Sequence, residues 1–178
     1  MRLTEIKEML QAASIPFQER IFESESDFLA QILSDPYTKN TKTEKICALM
    51  IQSENGKKNI ELEFCERDGD FVFWDLWFGE ICFECFIYCT DASDLLDTIR
   101  QIMMGNLGAI TENNAKTKRW YSDAIFDLSD EDDGEYGKLG FEKKVNKIRK
   151  KKSFIERLFG VSFAYEIYTW DTYEYVVK

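Results

Sequence analysis

The run DFVFWDLWFGEICFECFIYC, residues 70–89, leaves the chain few ways to fold. Two dense apolar segments meet at Gly79-Glu80, and a glycine-first pair between strand-like runs signals a two-residue hairpin, because glycine supplies the positive φ that tight primed turns need. Pairing Phe78 with Ile81 places Val72, Trp74, Leu76, Phe78, Ile81, Phe83, Cys85 and Ile87 on one face, since strand side chains alternate. A face this apolar must be buried. The reverse face carries Phe71, Phe73, Trp77, Phe86 and Tyr88, with Asp75 and Glu84 directly opposed in its middle. Like charges across a strand pair destabilise it, so these two carboxylates stand out as candidates for function.

The preceding segment, KICALMIQSENGKKNIELEF, centres on Asn55-Gly56, the strongest short hairpin signal. Pairing about that turn opposes Ile51 to Ile60, Leu49 to Leu62 and Cys47 to Phe64, with Ala48, Met50, Glu61 and Glu63 on a mixed reverse face. A third turn at Asp68-Gly69 joins the two hairpins into an antiparallel meander over about residues 45–89. A two-residue loop there sets Leu62 beside Asp75 and Ile60 beside Trp77, whereas a one-residue bulge exchanges the faces. Helical spacing appears near residues 2–13, 26–34 and 91–104, the last carrying Leu95, Leu96, Ile99, Ile102 and Met103 along one stripe. Residues 108–128 read as a further hairpin with Asn113-Asn114 at its tip, and 161–177 as one long aromatic strand bent near Thr169. The expected fold is therefore α+β, a single domain over 1–178. Its antiparallel meander sheet is extended by strands near 108–128 and 161–177 and covered by the three helices.

Charge narrows the function classes. The formal net charge is −10, which repels nucleic acid and anionic membrane and attracts basic partners. Histidine is absent, which removes Ser-His and Cys-His nucleophilic pairs, His-ligated metal and the commonest general base. No dinucleotide or P-loop glycine motif occurs, so no cofactor is expected. The amphipathic start MRLTEIKEMLQAA has no apolar h-region and no stretch of 18 apolar residues follows, consistent with a cytoplasmic protein. Five cysteines sit inside strand-like runs, and reduced thiols acting as small hydrophobes suit them. Cys82 and Cys85 lie three apart on a strand, hence on opposite faces, and cannot chelate one ion. Residues 127–137, DLSDEDDGEYG, hold six acidic side chains and form a solvated loop over about 129–137. Seven basic residues follow between Lys143 and Lys152, a local anomaly in an acidic chain.

A small acidic α+β chain with an aromatic sheet, in the stretches DFVFWDLWFGEICFECF and VSFAYEIYTWDTYEY, resembles the immunity proteins of bacterial polymorphic toxin systems. The resemblance is one of type. It implies a non-enzymatic inhibitor that binds a cognate toxin, often a basic nuclease, and blocks its active site or a neighbouring exosite. An acidic surface with aromatic anchors suits such a partner, because charge steers the encounter and desolvated aromatics hold it. The interface candidates are Asp75, Glu84, Trp120, Tyr121, Asp130, Glu131, Asp132, Asp133, Glu135, Tyr168 and Trp170. The Lys143–Lys152 block departs from this pattern. Two alternatives stand beside it: an adaptor or regulatory module for another basic protein, and a carboxylate-dependent hydrolase using Asp75 and Glu84 as acid and base.

Overall fold

The computed structural model describes residues 1–32, 45–83, 91–131, 134–150 and 162–178. They gather into two compact units, Met1–Arg100 and Gln101–Lys178. The chain is α+β, but its strands form two antiparallel sheets instead of one extended meander. Among the described residues no helix is long and apolar enough to cross a membrane.

Unit 1 runs α1 (Leu3–Ala12), β1 (Gln18–Phe22), α2 (Glu25–Ile32), β2 (Ile46–Ile51), β3 (Ile60–Arg67), β4 (Asp70–Phe78) and β5 (Ile81–Cys82), with α3 (Ala92–Met103) crossing into unit 2. Its sheet has the order β1-β2-β3-β4-β5. The Phe78–Ile81 pairing is as expected, with Gly79 at φ 60°. Ile51 faces Ile60, Leu49 faces Leu62 and Cys47 faces Phe64, also as expected. The connection between those strands differs, however. It spans residues 52–59, and the Asn55 side-chain Oδ1 accepts from the backbone N–H groups of Lys57 and Lys58 at 2.7 and 2.8 Å. The side chain thus does the work of a backbone turn. The primed turn lies at Asp68-Gly69 instead, where φ is positive at both residues, 53° and 84°.

Between Glu63 and Phe64 the β3–β4 register shifts. Phe64 pairs with Phe73 but Glu63 pairs with Asp75, so Trp74 is the extra residue of a bulge. Leu62 consequently faces Leu76 and Ile60 faces Phe78, not Asp75 and Trp77. Beyond the bulge Phe73 joins the apolar face, its ring 5.6 Å from that of Phe64, while Trp74 packs on the opposite side with the α2 cluster. The bulge thereby exchanges the faces of residues 71–74 relative to strict alternation.

Both faces of the sheet are covered. Lys7 of α1 reaches Glu19 at 2.5 Å, and Arg20, the next residue along β1, donates to Gln31 Oε1 of α2 at 2.8 Å. Neighbouring strand residues point to opposite faces, so the two helices lie on opposite sides. Ser24 caps α2 by accepting from Asp27 N–H at 3.2 Å, which satisfies an orphan donor of the first turn. The helix buries Phe28 and Leu29 on Ile46, Ala48 and Cys65. Each large apolar side chain so buried contributes about 1.5 to 3 kcal/mol before entropy is counted. Asp91 caps α3 through Ser93 and Asp94 N–H at 2.8 and 3.0 Å, and Leu95, Ile99 and Ile102 of that helix are fully buried.

Unit 2 holds β6 (Leu107–Asn114), β7 (Trp120–Asp127), α4 (Lys138–Arg149), β8 (Phe163–Tyr168) and β9 (Tyr173–Val177). The sheet order is β7-β6-β8-β9. The hairpin tip lies at Ala115–Lys118, just past the expected Asn113-Asn114. Asn114 closes it by accepting from the N–H groups of Lys116 and Thr117 at 3.0 Å each. The expected single strand over 161–177 is itself a hairpin, broken where Thr169 N–H donates to Thr172 C=O at 3.0 Å. Helix α4 buries Val145 and Ile148 on Ile110, Phe126 and Ile167, which closes the core of this unit.

Candidate functional site

Two places in the molecule concentrate functional groups. The first is the α2-covered face of sheet β1–β5. Alternation along IELEF turns Ile60, Leu62 and Phe64 to one side and Glu61 and Glu63 to the other. Because β3 is flanked by β2 and β4 and roofed by α2, both carboxylates are out of water: Glu61 is 5% exposed and Glu63 2%. Glu63 Oε2 accepts from Trp77 Nε1 at 3.0 Å, yet its Oε1 is buried without a partner, as is Oε2 of Glu61. Burial without full compensation favours the neutral acid. Desolvation pushes Glu61 up to about 7 against the opposing pull of Arg20 and Gln31. Glu63 also rises to about 7, chiefly through burial, with Asp75 and Glu25 adding repulsion and the Trp77 bond opposing.

The opposed carboxylate pair in the described sheet is thus Glu63 with Asp75. Glu84, the partner expected for Asp75, lies outside the described residues. A near-neutral acid beside a second carboxylate is the split that acid–base chemistry requires. Glu63, however, reaches a substrate only if α2 moves. Neither Glu61 nor Glu63 stands out in the sequence, where they read as the polar half of an alternating strand. The signal that marks them is that the apolar stripe of α2 also needs a sheet face.

The second place is the β7 edge of unit 2 and the loop that follows. Trp120 is 53% exposed and Tyr121 64%, with Tyr136 at 62%. Asp123 is exposed near Trp120, and at the other end of β7 Asp130, Glu131 and Glu135 are exposed in the loop that carries Tyr136. Trp120 Nε1 donates to Asp123 Oδ2 at 3.2 Å, and the Tyr121 ring lies 5.2 Å from Phe163. Asp127, on the same loop, is held below the usual carboxylate range by its bond from Ser129. Asp132 and Asp133 lie outside the described residues. Two candidates are displaced from the surface: Tyr168 is fully buried and Trp170 is 5% exposed. Tyr168 ends β8 and Trp170 lies in the turn to β9, and an alternating aromatic pattern does not reveal which of its positions are covered. Of the basic block, Arg149 forms a forked pair with Glu174, and Lys144 lies 5.9 Å from the Phe126 ring centre.

Cys47, Cys65 and Cys82 are not joined in disulfides, while Cys85 and Cys89 lie outside the described residues. Burial, reinforced by Glu19, pushes the Cys47 thiol up to about 12. Its Sγ–H donates to Glu19 Oε1 at 3.5 Å. Because the thiolate is the nucleophile, native protein should leave Cys47 unmodified by a thiol reagent at neutral pH, and denatured protein should release it. Peptide mass mapping after labelling checks this; rapid modification of the native protein would contradict it. Among the described residues no three Cys, Asp or Glu side chains converge as a metal-holding group. Comparison of the chain with protein-family models, with curated proteins and with solved structures yields no match.

Proposed function

We propose that the chain works by binding, as an inhibitor of the immunity type that captures a basic protein, with a secreted bacterial nuclease toxin as the partner class. The observation that carries this reading is the exposure of Trp120 and Tyr121 with Asp123 at the start of β7, and of Tyr136 with Asp130, Glu131 and Glu135 in the loop that follows its far end. Large aromatics half or more in solvent contribute little to folding, whereas at an interface they supply rigid contact area at low entropic cost. Exposed carboxylates along the same edge and loop raise the encounter rate with a cationic surface. The net charge of −10 acts in the same direction over longer range.

The test is direct titration against the toxin encoded beside this chain, at low and at high salt. Replacing Trp120 and Tyr121 together by alanine should weaken capture by about 2 kcal/mol or more, roughly thirtyfold, with the fold unchanged. Charge reversal at Glu131 and Glu135 should slow association and flatten its salt dependence. Binding that ignores all four substitutions would remove this surface from consideration, and equal affinity for unrelated basic proteins would favour a generic adaptor.

A further inference from the structure

A cavity of about 550 Å³ opens on the α2 side of unit 1, between β1, the C-terminal end of α2 and the turns at 52–59 and 79–80. Its charged lining comes from Arg20, Lys57, Lys58, Glu61 and Glu80, with the side-chain amide of Gln31 among the neutral polar groups beside them. This balance is unlike that of the chain as a whole. Lys58 and Glu80 neutralise each other across 3.0 Å with both side chains nearly buried. Glu61 is 5% exposed, and burial raises its carboxyl to about 7, so it carries little charge on the acid side of neutrality. That leaves the guanidinium of Arg20, whose bond goes to the neutral Gln31 amide, and the exposed ammonium of Lys57. In a protein of net charge −10 the cavity is therefore cationic.

Neutral Glu61 adds a second feature. Its carboxyl carries one O–H donor, and its Oε2 is buried without a partner in the protein. The terminal torsion of a glutamate is broad, so the carboxyl can turn that donor toward the cavity at small cost. An acceptor entering there removes the penalty of an unmade buried hydrogen bond.

We infer that this cavity binds a small oxyanion, the carboxylate or phosphate group of a polar metabolite, between Arg20 and Lys57, with the buried carboxyl of Glu61 as a third contact. The charged groups facing Glu61 set how binding depends on pH. Arg20 on β1 and the hydrogen bond from the Gln31 amide of α2 favour its ionisation, Glu63 lies two residues along the same strand face, Trp77 of β4 is neutral, and Lys58 is paired with Glu80. Once Glu61 ionises, it repels the anion it had held.

Sulfate is the probe, because its charge is constant across the range, with chloride at equal ionic strength as the reference. Titration followed by amide chemical shifts should show saturable perturbation around Arg20, Lys57 and Glu61. Arg20→Ala and Lys57→Ala should each weaken it about tenfold or more, as expected for loss of one charge-assisted bond. Affinity should fall about tenfold from about pH 6 to about pH 8. Glu61→Gln keeps a donor but cannot ionise, so it should retain binding and lose the pH dependence. Displacement of sulfate by glycerol phosphate or by succinate supports the site and names its source as phosphate or carboxylate. Displacement by neither, no response beyond chloride, or binding untouched by both cation substitutions would overturn the proposal.

Discussion

Raising the pH from about 5 to about 8 is expected to destabilise the protein, and replacing both Glu61 and Glu63 by glutamine is expected to abolish most of that loss. Both carboxyls titrate near 7 in the folded chain against an ordinary value of 4.5. Between those two values the folded state holds protons that the unfolded state has released. Stability contributed by these groups is therefore complete below about 4.5 and falls as the pH rises through 7. A shift of this size corresponds to on the order of 3 kcal/mol per carboxyl. The two lie two residues apart on one strand face under the same helix, so their contributions are not independent and do not simply add. Asp127 and Glu174 work in the opposite sense. Each is held low, by Ser129 and by Arg149 respectively, and their contribution fades as the pH drops below the ordinary carboxylate range. Stability should peak on the acid side of neutrality. Urea midpoints across the pH range check this, and a midpoint that stays level or climbs toward pH 8 in the unsubstituted protein would refute it. The double glutamine variant should be the more stable protein at pH 8, since each amide satisfies buried partners without a charge to desolvate.

Phe28→Ala is expected to cost about 3 to 5 kcal/mol, the range for deleting a buried phenylalanine. Phe28 is fully buried, with ring centres at 5.5 Å from Phe22 and 6.5 Å from Trp77, both edge-on. Its removal leaves a cavity between α2 and the sheet, and an eight-residue helix has little intrinsic stability to hold itself in place. The substitution carries a second consequence. Loosening α2 lets water reach Glu61 and Glu63, so their affinity for protons drops and the pH dependence described above shrinks with it. Denaturant unfolding at two pH values measures both effects. A loss below about 1 kcal/mol would show that α2 contributes little to the fold.

The local pairings about Gly79-Glu80 and between Ile51 and Ile60 were legible in the residues, because they depend on interactions a few positions apart. Phe78 meets Ile81 and Ile51 meets Ile60 as alternation and glycine placement require. Even where Asn55 builds its turn through its side chain, the register is unaltered, since the apolar faces on either side admit only one match. The caps at Ser24 and Asp91 are equally local, each a short polar side chain just before an apolar helical stripe.

Three features were decided only in tertiary structure. The Trp74 bulge follows from matching Phe73 to Phe64 and Leu76 to Leu62 at once, a requirement spread over two strands and invisible in either. Division of the strands between two sheets depends on whether β6 finds β8 or the meander edge, and edge strands of similar composition do not declare their partners. Burial separates the exposed Trp120 and Tyr121 from the buried Tyr168 and Trp170. It also makes Glu61 and Glu63, ordinary polar positions by alternation, the most perturbed carboxylates described. A side chain's chemistry is written in its residue type, but whether water reaches it depends on elements far away along the chain.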